Sequence, residues 1–95
     1  MPNTRQAKKR MRRDARRRLR NRYHLSRMRT YIRNFRRMLE RGELERAKEY
    51  INEVVSVIQH TASKGVIHKR EAARRVSRLY HHLNKALQQQ AGSQA

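Results

Sequence analysis

The chain has no cysteine. Disulfides, thiolate metal sites and cysteine nucleophiles are therefore excluded, and the composition fits a reducing compartment. Tryptophan is also absent, and the aromatics are four tyrosines and one phenylalanine. That supply does not suit the aromatic-bearing sheets on which single-strand-binding proteins stack bases. Proline occurs once, at Pro2, and glycine only at Gly42, Gly65 and Gly92. β-branched residues form no long run, so strands are not expected. No apolar run approaches the roughly 18 residues of a membrane span, and no signal-peptide hydrophobic stretch is visible. Acidic residues number seven in 95. There is no Gly-rich phosphate loop and no nucleophile beside a base, so enzyme activity is not expected. The histidines do not suggest metal. His81 and His82 are adjacent, which turns them about 100° apart on a helix. No His-x-x-x-His pair occurs, and neither metal nor other cofactor is expected.

What the chain has in excess is positive charge. Its 26 basic side chains outnumber its seven acids, giving a formal net charge of +19 and a pI near 11.8. Self-repulsion on that scale destabilises a compact state in isolation. Nucleic acid is the commonest partner for such a chain, and an anionic membrane surface comes second. Twenty of the basic residues are Arg and six are Lys. Guanidinium forks grip phosphate bidentately and stack on bases, so the bias suits a structured phosphate surface. Eleven of the 26 lie between Arg5 and Arg22, beside the single acid Asp14. On a helix they would fall on every side, and such a segment needs a polyanion around it. In the chain alone this arm is expected to lack order and to become helical on binding.

Gly42 and Gly65 divide the chain into three pieces, and each reads as a helix. The first runs from about Asn3 to Arg41. Its second half places Leu25, Met28, Ile32, Phe35 and Leu39 in one stripe by 3-4-3-4 spacing. Its first half has only Met11, Ala15 and Leu19 as an apolar seam. The second helix is expected from about Glu43 to Ala62, with a stripe of Leu44, Ala47, Ile51, Val54 and Ile58, widened by Tyr50 and Val57. Gly42 and Gly65 are expected as left-handed helix stops, with Val66 and Ile67 packing over the second one. The third helix is expected from about Lys69 to Gln88. Its apolar face would hold Ala72, Ala73, Val76, Leu79, Leu83 and Ala86 or Leu87.

These one-sided helices predict an all-α fold, an antiparallel three-helix bundle with a long, projecting, basic N-terminal helix. About 36 residues make a helix of roughly 54 Å, against roughly 30 Å for the second, so some 25 Å of the first overhangs. The expected organisation is a basic extension at 1–22, the bundle at 23–88 and a flexible tail at 89–95.

Charge is distributed unevenly over these pieces. Residues 1–41 carry 17 basic and two acidic side chains, residues 42–66 three and four, and residues 67–95 six and one. Helices one and three are therefore the expected binding elements. The second helix, with Glu45, Glu49 and Glu53 every fourth residue, should face away. Candidate phosphate ligands in the arm are Arg5, Lys8, Lys9, Arg10, Arg12, Arg13, Arg16, Arg17, Arg20 and Arg22. A second cluster comprises Lys64, His68, Lys69, Arg70, Arg74, Arg75 and Arg78. Lys69 and Arg70 enter at a helix N-terminus, which already favours an anion. Phosphate and shape readout of a folded duplex is expected, with little base reading. A DNA-architectural protein is the alternative. A membrane-surface helix fits poorly, because the arm has no broad apolar face with Trp or Phe.

The runs Ala7-Lys8-Lys9-Arg10, Leu19-Arg20-Asn21-Arg22, Ser26 with Thr30, Thr61 through Lys69, and Ala72-Ala73-Arg74-Arg75 with Ser77-Arg78-Leu79 closely resemble the bacterial ribosomal protein S20 family. The likeness covers nearly the whole chain up to Leu87. Gln6, Glu71 and Val76 depart from the family's usual residues. The resemblance implies a three-helix bundle with a long first helix, in the small ribosomal subunit of the cytoplasmic ribosome. It implies direct binding to 16S ribosomal RNA, chiefly the 5′ domain and also the long stem near the 3′ end. An early role in subunit assembly and few protein contacts go with it. It adds Asn21, Ser26, Arg27 and Thr30 to the candidate RNA-binding residues.

Overall fold

From Thr4 to Glu40 neither glycine nor proline interrupts a run rich in Arg, Ala, Leu, Met and Lys, all good helix formers. The computed structural model describes residues 4–94, with side chains through residue 92. The arm's residues 1–3 and the tail's residue 95 lie outside the described residues. One helix, α1 (Thr4–Glu40), spans the described part of the arm and continues into the bundle. From Thr4 the arm is helical and continuous with the packed part of α1. Its propensity is high at every position, and its helix is the direct extension of a packed one, so no new nucleus is required.

Both glycine stops follow one scheme. Gly42 has φ of 73° and Gly65 of 76°, a region that residues with a Cβ rarely enter. At the first stop, the Glu43 N–H donates to the Met38 carbonyl at 2.9 Å and the Gly42 N–H to that of Leu39 at 3.2 Å. At the second, Val66 donates to Thr61 at 3.3 Å and Gly65 to Ala62 at 3.0 Å. This paired pattern is the Schellman motif, which satisfies carbonyls that a helix end leaves open. Between the stops lies α2 (Leu44–Ser63), and after the second comes α3 (Lys69–Gln94). Ile67 is 8% exposed and joins the core, completing the second cap. The third helix passes Gln88, its expected end, because Gln and Ala continue it and Gly92 alone does not stop it.

The three helices run antiparallel, with α2 in the middle. It packs against both neighbours, whereas α1 and α3 scarcely meet. The core gathers Met28, Ile32 and Phe35 of α1, Ala47, Ile51, Val54, Val57 and Ile58 of α2, and Ala72, Leu79 and Leu83 of α3. Leu25, Leu39, Val76 and Leu87 border it, partly buried. Ala73, expected on the core face, is exposed. It sits about 100° from Ala72, outside the stripe that Ala72, Leu79 and Leu83 define. Two polar residues are buried where the stripes continue. His24 precedes Met28 by one turn, and Thr61 follows Ile58. The Thr61 hydroxyl donates to the Val57 carbonyl at 2.8 Å, which satisfies it inside the helix.

This packing fixes the position of the arm. The ring of His24 lies 5.7 Å from that of His60, so the end of α2 stands level with residue 24 of α1. Everything N-terminal to about residue 21 projects beyond its partners, roughly 27 Å of bare helix. The molecule measures 75 × 22 × 16 Å as a result.

Candidate nucleic-acid interface

The overhang exposes every side chain from Thr4 to Arg20. The cations from Lys8 to Arg22 form no ion pair, and Asp14 does not neutralise its neighbours. The first turn of α1 also holds no acid. A helix N-terminus carries partial positive charge, so the basic first turns are mismatched to their own dipole. Side chains on successive turns leave grooves walled by cations. One of about 270 Å³ lies among Arg13, Arg16, Arg17 and Arg20. Another of about 400 Å³ lies among Gln6, Lys9, Arg10, Arg13 and Arg16. Arg5, Lys8, Arg12 and Arg22 project to other sides, and Arg18, absent from the candidates, is equally exposed. Asn21, at the root of the arm, is partly covered.

The seam of Met11, Ala15 and Leu19 does not continue the core stripe. With about 100° per residue, Leu19 lies on the side opposite Met28. Met11 is 70% exposed, Leu19 65% and Tyr23 62%. Among the described residues no other helix covers this ridge.

The second cluster meets the arm at the same pole of the bundle, because α2 ends and α3 begins there. Lys64, Lys69, Arg70, Arg74 and Arg78 are exposed and free of ion pairs. Arg75 is not free. Its Nε and Nη2 donate to the Glu71 Oε1 at 3.2 and 2.9 Å. Such a half-exposed pair stabilises a helix by about 0.3–0.5 kcal/mol and leaves the guanidinium less available for phosphate. Four of the seven acids, Glu40, Glu43, Glu45 and Glu49, lie toward the far pole. Glu43 pairs with Arg46 and Glu45 with Lys48, beside the turn at Gly42. The molecule is therefore strongly positive at the arm end and close to neutral at the other.

His68, expected as a phosphate or ribose contact, has a structural task. Its Nδ1 accepts the Arg70 N–H at 3.1 Å, and its carbonyl accepts the Ala72 N–H at 3.1 Å. That is the geometry of an N-cap, with an imidazole in place of the usual Asp or Ser. Only the Nε2 edge remains for a ligand. Replacing His68 by Ala should lower stability by about 1 kcal/mol, while His68→Asn should keep most of it. Equilibrium urea unfolding of the two variants compares them directly.

The remaining candidates lie along the bundle part of α1. Ser26 and Thr30 are exposed, and the Thr30 hydroxyl donates to the Ser26 carbonyl at 2.9 Å. The Arg27 guanidinium sits 5.8 Å from the centre of the Tyr31 ring. Tyr31 stacks on Tyr50 of α2 at 5.7 Å with the planes 6° apart, and Asn34 donates to the Tyr50 hydroxyl at 3.3 Å. This column ties α1 to α2 and holds Arg27 at the bundle edge. Arg29, Arg33, Arg36 and Arg37 are exposed and extend the basic surface, though only their place off the stripe marked them.

Two histidines are pushed below the ordinary imidazole range. Burial does most for His24, and the charges of His60, Arg20, Lys64 and Arg27 add to it. Burial also leads for His82, followed by Arg36, His81, Arg78 and Lys85. Arg36 belongs to α1 and the others to α3, so the two outer helices face each other there with like charge. Among the described residues no group of three or more His, Asp or Glu could hold a metal ion. A hollow of about 760 Å³ between α2 and α3 is lined by Ala62, Ala72, Ala73 and Val76 with Lys69. No helix among the described residues is long and apolar enough to cross a membrane.

Comparison with known proteins agrees with this arrangement. The family model described as ribosomal protein S20 matches residues 2–84. A small ribosomal subunit protein bS20 of Aquifex aeolicus is 83% identical over 90 residues, covering 95% of this chain and 96% of the relative. A protein of the same name from a Hydrogenobaculum species is 61% identical, over 92% of this chain and 94% of its own. The corresponding protein of Thermomicrobium roseum is 48% identical over 88% and 85%.

Proposed function

The chain belongs to the ribosomal protein S20 family, and from that premise we propose that it is a structural component of the small ribosomal subunit that binds 16S ribosomal RNA directly. Such a family is structural rather than catalytic. The observation that carries the RNA reading is the arm: about 27 Å of exposed helix with cations on every side. RNA on all sides would neutralise charge on all sides. The arm enters the folded RNA, and Lys64, Lys69, Arg70, Arg74 and Arg78 hold the backbone at its root. The ligands in this reading are phosphate oxygens, so recognition follows the shape of the folded RNA rather than its base edges. The 5′ domain and the long stem near the 3′ end are the proposed contacts. Bridging them early would support assembly of the subunit in the cytoplasm.

Binding to folded 16S RNA in the presence of excess duplex DNA tests this. The complex should survive a hundredfold mass excess of DNA at physiological salt. Complete displacement would instead favour a protein that grips any duplex, as a DNA-architectural protein does.

A further inference from the structure

The root of the arm holds a pair of histidines that the family reading does not use. His24 is 9% exposed, wedged between α1 and the end of α2. Its ring meets the Tyr23 ring edge-on at 5.3 Å and lies 5.7 Å from the exposed ring of His60. Neither imidazole makes a hydrogen bond, and no buried side-chain nitrogen or oxygen among the described residues is sealed off without a partner. The His24 ring nitrogens are therefore unpaired yet reachable. Around them stand Arg20 and Arg27, one turn to either side on α1, and Lys64, one turn beyond His60. The charged groups that bear on His24 from α1, α2 and the following loop are all basic, and α3 contributes none. A pair of imidazoles ringed by three permanent cations, with no carboxylate among them, is an arrangement short of one anion.

We propose that His24, His60, Arg20 and Lys64 form a notch for a single backbone phosphate at the base of the arm, and that filling it puts a proton from solvent on His24. This rests on the RNA-binding reading and deepens it. An imidazole nitrogen takes the proton, and the resulting N–H donates to a phosphate oxygen while Arg20 and Lys64 balance the second charge. Without the anion, burial and the surrounding cations keep His24 neutral. The phosphate offsets those cations and reverses the preference. The bound state then holds more protons than the free state, so RNA affinity rises as the pH falls from about 8 to 6.

Calorimetry of the full-length chain with folded 16S RNA, in phosphate-free buffers of differing ionisation enthalpy at pH 7, measures the uptake. About one proton per complex is expected. In His60→Gln, an exposed substitution, uptake should fall by at least half. Buffer-independent heats with intact binding, or undiminished uptake in the variant, would overturn the notch and leave the RNA reading standing. A parallel arm uses inorganic tripolyphosphate on the free protein, with ring signals of His24 followed by NMR. The titration midpoint of His24 should move up, and an unmoved midpoint also counts against the notch. Failure to bind 16S RNA together with a raised midpoint would remove the RNA reading and keep the anion site.

Discussion

Deleting Met1–Arg22 should leave a folded bundle that has lost on the order of a thousandfold in RNA affinity at physiological salt, about 4 kcal/mol. The two halves of this expectation have separate causes. The bundle survives because the arm contributes nothing to the core. Its side chains from Thr4 to Arg20 are exposed, and the first buried residue is His24. Removing eleven cations and one acid also relieves self-repulsion. Affinity falls because eleven cations leave together. If eight of them meet phosphates, the salt dependence of binding should flatten by about seven units of slope on a duplex. Circular dichroism and binding isotherms from 50 to 200 mM salt check both halves. A truncated chain that unfolds would contradict the division into arm and bundle. An unchanged salt slope would move the interface elsewhere.

Replacing Phe35 by Ala should cost about 3–5 kcal/mol of stability, and Ile51→Ala about 2–5 kcal/mol. Phe35 is fully buried and is the largest side chain in a core of thirteen apolar residues, so little else can close over the cavity. Domains of ordinary stability have about 5–15 kcal/mol to lose, and a net charge of +19 lowers that margin. Phe35→Ala should therefore sit near the edge of folding in low salt and recover in part when salt screens the charge. Tyr23→Ala supplies the contrast. Tyr23 is 62% exposed, and its loss should fall within about 0.5 kcal/mol. Urea midpoints for the two variants that moved equally would mean that the core is not where the stripes meet.

Much of this structure was legible because helices declare themselves by spacing. The stripes from Met28 to Phe35 and from Leu44 to Ile58 need only the 3.6-residue period to be seen. Gly42 and Gly65 are legible for a local reason as well, since each sits where a left-handed residue closes two hydrogen bonds. The misses have separate causes, some local and some set by how elements cross. His24 lies within an Arg-rich run, and nothing local shows that the end of α2 will cover it. Thr61 extends a stripe in a residue type that normally interrupts one. His68 reads as one more basic group in a basic loop, until its position just before α3 makes it a cap. Ala73 is apolar and beside the stripe, yet 100° is enough to leave it in solvent. Arg75 and Glu71 stand four residues apart, a spacing that does announce their pairing. The nearness of the two basic clusters follows from length alone, since α2 is just long enough to return the chain to the arm's root.

The unbroken course of α1 has a mechanical side. A single helix of 37 residues without glycine or proline is a stiff rod of about 55 Å. Its tip and the bundle cannot move independently, so whatever each end grips is held at a set separation. The protein then acts as a gauge. If the proposed RNA contacts form, segments placed correctly would satisfy both ends at once, and the second contact would form with almost no search, at high effective concentration. Segments at the wrong distance satisfy one end only and keep the lower affinity of a single grip. Correct spacing is rewarded without any base being read.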